Sequence, residues 1–159
     1  MRNYTKYRKD FESDELMSGS ATTITAPSHD VIRKLKETVG DSKKRAKGIQ
    51  AIVWFAEELN KLKNTEFSVQ CGIIYGAFAR GAKRFQEIKM LLVLEKNVDE
   101  VEAFHFIIDN IFTDIYLETG IYFYLEVVNP KKLEVAYTQP GPLFQQIQKE
   151  GIVFYGTQK

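Results

Sequence analysis

Two short apolar runs, "FSVQCGIIYGA" (67–77) and "EIKMLLVLE" (87–95), flank a glycine-bounded turn, and they restrict the fold of this chain more than any other feature. The first is β-branched and aromatic and ends in glycine, which predicts a strand entering a turn. The second predicts a buried strand. "IYFYLEVVN" (121–129), ended by Pro130, and "IVFY" (152–155) predict two more. "IYFYLEVV" carries apolar groups on both faces, which implies either full burial or cover by a partner chain. Helical periodicity predicts helices over 42–64, 98–120 and 141–151. Gly120 and Gly151 stop the last two, and Pro142 lies in the first turn of the third. The order helix–strand–turn–strand–helix–strand–helix–strand predicts an α/β (α+β) fold, one mixed β-sheet flanked by helices.

Apolar residues make up 44% of 159, enough for one domain with a substantial core. The net charge of +1 is split, with +4 over residues 1–47 and −3 over the remainder. "SGSATTITAPS" (18–28) is turn-prone, so residues 1–27 are expected to form an arm, followed by a short helix from Ser28 to Gly40. The expected division is therefore a basic N-terminal extension, 1–46, and a domain, 47–159. The small overall charge gives no field that recruits nucleic acid or an anionic membrane. "KKRAK" (43–47) lacks the interleaved aromatics of a base-stacking surface, and nucleic acid is not expected as a partner. No apolar stretch approaches a membrane span and no signal core opens the chain, so the expected location is cytoplasmic. Cys71 reads as a buried thiol, His29 and His105 have no zinc-ligand spacing, and His105 reads as a structural helix residue.

"IIYGAFARGAKRFQEIKMLLVLEK" resembles the core motif of the minimal nucleotidyltransferases, small relatives of the polymerase-beta-type enzymes. That family places Gly-Ser and Ala-Arg-Gly after an apolar strand, and Asp-x-Asp at the start of the next. "TGIYFYLEVVNPKKLE" is similar to its third strand and following turn, and "PLFQQIQKEGIVFYG" to its close, a helix, Glu-Gly and a short strand. The resemblance covers roughly 47–156. It implies a nucleotidyltransferase-like sheet and, in active members, a triphosphate on the glycine turn with divalent ions on the acid pair.

The turn is partly kept. Gly76, Ala79, Arg80 and Gly81 match the pattern, while Ala77 stands at the serine position. The backbone donors for phosphate remain and one hydroxyl is lost, worth about 0.5–1.5 kcal/mol. At the acid pair the alignment places Glu87 first and Lys89 second, on one face of the strand. An ammonium about 4 Å from a divalent ion is repelled by roughly 8 kcal/mol even at an effective dielectric of 20. No metal is therefore expected there. Glu126 is the candidate third acid, with a solvated strand residue as the alternative. Arg80, Lys83, Arg84 and Lys89 could form a cationic pocket for phosphate. The plainer reading, preferred from sequence, leaves the loop cations solvated and pairs Lys89 with Glu87.

The resulting expectation is a protein with a degenerate metal site that binds nucleotide or phosphate, or acts through a protein partner or as a homo-oligomer, without catalysis. One alternative is an active nucleotidyltransferase using Mg2+ and a nucleoside triphosphate, with Glu87 and Glu126 rebuilding the site. Another is an interaction module of a larger assembly.

Overall fold

The computed structural model of the chain describes residues 43–82 and 84–157. The expected arm and short helix over 1–40 lie outside the described residues, as do His29 and Lys83. Of the expected extension only 43–46 are described, as the first turn of helix α1 (Lys43–Asn60). This helix buries Ile49, Ile52, Trp54, Phe55, Ala56 and Leu59 and ends four residues earlier than expected, with Asn64 at φ +69° in the turn that follows.

Strands β1 (Val69–Tyr75) and β2 (Ile88–Leu94) are each interrupted in their burial at one position, Gln70 and Lys89 respectively. Near-continuous burial means that both faces of these central strands are covered. Strand β3 (Phe123–Val128) instead alternates: Phe123, Leu125 and Val127 are buried, whereas Tyr124 is 48% exposed, and Tyr122 just ahead of the strand 50%. Of the two readings of this aromatic run, full burial is therefore excluded. With β4 (Ile152–Gly156) the sheet has the order β3-β2-β1-β4. β1 pairs antiparallel with β2 and β4, and β2 runs parallel to β3. A tight connection suffices for the first pair, but a parallel pair needs a crossover. The helical stretch 100–119 supplies it. The architecture is thus the mixed sheet flanked by helices expected from sequence.

One face of the sheet (Ile74, Met90, Leu92, Phe123, Leu125) packs on α1 and the crossover, with the Phe55 ring edge-on to Phe123 at 5.2 Å. The other face (Cys71, Ile73, Leu91, Val93) is closed by Ile147 and flanking residues of helix α5 (Pro142–Glu150). Burial there pushes the Cys71 thiol up to about 11, a buried, unreactive group as expected.

The crossover is not the single α-helix predicted over 98–120. It runs as α2 (Glu100–Ile107), a π turn (Ile108–Phe112) and α3 (Thr113–Thr119). Apart from Phe112, its buried residues, Ala103, Ile107, Ile111, Ile115 and Thr119, recur every fourth position. On a regular α-helix each step of four over-rotates by about 40°. The wider π turn offsets part of that drift. Asn110 and Thr113 support it, donating to the carbonyls of Phe106 (2.8 Å) and Ile108 (2.9 Å).

Sequence reasoning missed helix α4 (Pro130–Thr138), expected only as a turn. Asn129 caps it, its Oδ1 accepting the Lys132 N–H at 2.9 Å, and Pro130 occupies its first turn. The helix buries no residue, so it leaves no periodic signal. Gly151 does end α5, but with φ −66° and ψ 141° it is not in the left-handed region. A Cβ there would lie 2.5 Å from the Ile147 carbonyl oxygen and 2.8 Å from Ile73 Cγ2. Because a backbone oxygen cannot yield as a side chain can, Gly151→Ala is expected to destabilise the protein by about 1–3 kcal/mol. Urea unfolding should show this as a lower midpoint with an unchanged slope.

Candidate functional site

Gly76 ends β1 with φ +84°, a conformation that favours glycine. The chain then makes a single turn, closed by the Arg80 N–H on the Gly76 carbonyl and the Ala82 N–H on the Ala77 carbonyl, both at 3.0 Å. Phe78 holds the turn to the core, fully buried and edge-on to Phe85 at 4.8 Å. Across from it, Lys89 pairs with Tyr75 on one side and Tyr124 on the other. Its aliphatic stem crosses the turn so closely that a Cβ on Gly76 would meet Lys89 Cδ at 3.0 Å.

Beside this crossing opens a cleft of about 680 Å³, lined by Lys44, Ala77, Arg80, Arg84, Phe85, Gln86, Glu87, Lys89 and Gln146. Among the described residues four cations face one carboxylate, a composition that concentrates anions. Lys44 is held in place by its Nζ donating to the Phe85 carbonyl (2.7 Å) and lying 4.7 Å from the ring centroid. Contrary to the plainer expectation, Lys89 is not paired with Glu87 among the described residues. Arg80, Arg84 and Lys89 do line one cavity. His105 stands exposed on α2, away from the residues that line the cleft.

The two carboxylates proposed for a rebuilt metal site do not converge. The parallel register sets Glu126 beside Leu91, four residues beyond the level of Glu87. At about 3.3 Å per residue this is roughly 13 Å along the strands. Lys89 lies between them. Among the described residues there is no cluster of three or more His, Cys, Asp or Glu side chains able to hold a metal ion. The side chains at the turn do not fit a divalent ion. Glu126 instead neighbours Tyr75, whose phenol is raised above its ordinary range first by burial and then by the charge of Glu126 and by Tyr124.

The turn does hold an anion of the chain's own. The Gly76 N–H donates to Glu150 Oε1 at 3.3 Å, and Arg80 Nη1 reaches both carboxylate oxygens at 3.2 and 3.1 Å. Gln146 donates to the same carboxylate. Burial alone would raise the Glu150 pKa. Hydrogen bonds from Arg80 and Gln146, the Arg80 charge and the Gly76 amide outweigh it and hold the carboxyl below its ordinary 4.5. Glu150 and Lys44 are the residues sequence reasoning missed. Glu150 lies in the stretch "KEG" that carries the family resemblance, and Lys44 in the basic run at the start of α1. Nothing in the linear sequence brings Glu150 to residue 76 or Lys44 to residue 85.

A depressed carboxylate contributes stability that is complete above the unfolded pKa, about 4.5, and is lost as pH falls through the lower folded value. The stability difference between the native protein and Glu150→Gln should therefore be greatest near neutral pH and vanish in acid below that folded value. Urea titrations between pH 7 and pH 3 measure it directly.

No protein-family profile matches the chain, and no curated protein matches it at a significant level. Solved structures with a similar course exist at low identity. A toxin–antitoxin MntA–HpeT variant is 13% identical with a TM-score of 0.39, over 64% of this chain and 69% of that one. A toxin–antitoxin crystallised with AMP-PNP is 12% identical with a TM-score of 0.41, over 65% and 73%. Likeness at this level assigns no family, and the fold stands on the topology described above.

Proposed function

We propose that this nucleotidyltransferase-like domain binds a phosphate-bearing ligand, a nucleotide above all, in the cleft at the Gly76 turn, without a divalent ion and without nucleotidyl transfer. The observation that carries the reading is the path of Lys89, whose stem crosses Gly76 and which lines the cleft. An ammonium at that place supplies the positive charge that a metal ion would bring, and it repels the ion itself. Gly76, Ala77, Arg80 and Gly81 form the phosphate-binding turn, while Arg84 and Lys44 widen the basic wall. Glu87 contributes the one carboxylate of the cleft. The alternative, an active Mg2+-dependent transferase, needs Glu87 and Glu126 at a common ion, and the strand register weighs against it.

Calorimetric titration with ATP in EDTA should show binding that added magnesium does not strengthen. Lys89→Met should weaken it about ten- to a hundredfold, the value of one charge-assisted contact of about 1.5–3 kcal/mol. Lys89→Asp should lower ATP affinity and raise affinity for Mn2+, whereas a native metal enzyme would gain nothing from that change. Robust magnesium-dependent incorporation of labelled nucleotide into any acceptor would defeat the reading.

A partner protein or second copy is proposed on a separate observation. Tyr116, Leu117, Tyr122 and Tyr124 stand 42–70% exposed along α3 and the open edge strand β3. Sedimentation of the native chain and of Leu117→Asp tests it. An assembly that Leu117→Asp dissociates supports this reading, and one it leaves intact counts against it.

A further inference from the structure

The cleft and the Glu150 contact share a wall. Arg80 and Gln146 line the basic cleft, and both also line a second, shallower cleft of about 570 Å³ that contains Lys149 and Glu150. The Arg80–Glu150 pair is the partition between them. Glu150 is the last residue of α5, where the aligned helix carbonyls disfavour a negative charge. Its side chain is nevertheless only 15% exposed, while that of Arg80 remains 53% exposed. The carboxylate is therefore retained by the donors at the turn, against the preference of its own helix. Those donors, one backbone amide and one guanidinium, are the groups that a ligand phosphate would use.

We propose that Glu150 is a built-in occupant of the anion cradle, which a ligand phosphate displaces, so that ligand binding releases the last turn of α5 and opens the partition between the two clefts. This rests on the reading that the basic cleft binds phosphate. A phosphate group carries more charge and more acceptor oxygens than a carboxylate, so Gly76 and Arg80 exchange one partner for a stronger one. The displaced carboxylate turns away from Gly76 and Arg80 into the second cleft, which it already lines beside Lys149. The device lets the free protein keep a formed turn while discriminating against weakly charged anions.

The test is calorimetric titration of the full chain with sodium tripolyphosphate in EDTA. Glu150→Gln should bind about tenfold tighter than the native protein, because the competing occupant is removed. Glu134→Gln, an exposed change on α4, removes the same charge elsewhere and should leave affinity as it was. Arg84→Ala should weaken binding and reports on the cleft itself. If Arg84→Ala weakens binding but Glu150→Gln is unchanged or weaker, Glu150 is only a structural clamp and the inference fails while the functional reading stands. Equal tightening in Glu150→Gln and Glu134→Gln also overturns it, as an effect of net charge. Absence of binding by the native protein and Glu150→Gln alike overturns both. Should Glu150→Gln not fold, the Gly76 amide resonance of the native protein decides. A shift that saturates with tripolyphosphate supports displacement, and an unmoved resonance at saturation refutes it.

Discussion

The stem of Lys89 lying across the backbone of Gly76 sets the character of this molecule. The turn beneath it needs glycine for its positive φ, and the lysine stem packed on that glycine brings a positive charge to the lining of the cleft. An acid at this place would make the same scaffold attractive to divalent ions. On the proposed function, a lysine turns it toward anions. On that reading chemistry and shape meet in one contact, because the residue that packs over the turn also supplies the charge.

That contact depends in turn on the layering of the sheet. β1 and β2 are buried on both faces, so their positions are fixed by α1 and the crossover helices on one side and by α5 on the other. Phe78 and Phe85 tie the turn to the core beneath it. The site is therefore rigid where backbone atoms matter. Around it, the long side chains of Arg80 and Arg84 are exposed and that of Lys89 half-buried.

Much of this was legible in the sequence for simple reasons. Continuous apolar runs with glycine and proline boundaries gave away the four strands, and alternation along β2 placed Glu87 and Lys89 on one face. Three things were not legible. α4 has no fully buried residue, only Leu133 packing partly on the core, and so lacks the pattern by which helices are recognised. Glu150 reaches the turn, and Lys44 the neighbouring Phe85, from far away in the chain, through tertiary packing that local rules do not describe. The failure of Glu126 to meet Glu87 follows from the register of two parallel strands, which is set by the length and packing of the crossover rather than by either strand.

The π turn in that crossover has an outward consequence as well as an inward one. Adding one residue to a helical circuit changes the azimuth of everything that follows it. Ile115 is thereby kept turned to the interior, and its neighbours Tyr116 and Leu117 are turned to the outside. The widened turn acts as a phase adjuster between the two halves of the crossover: excising a single residue from it would restore a regular spiral and wheel the aromatic surface beside β3 into a different bearing.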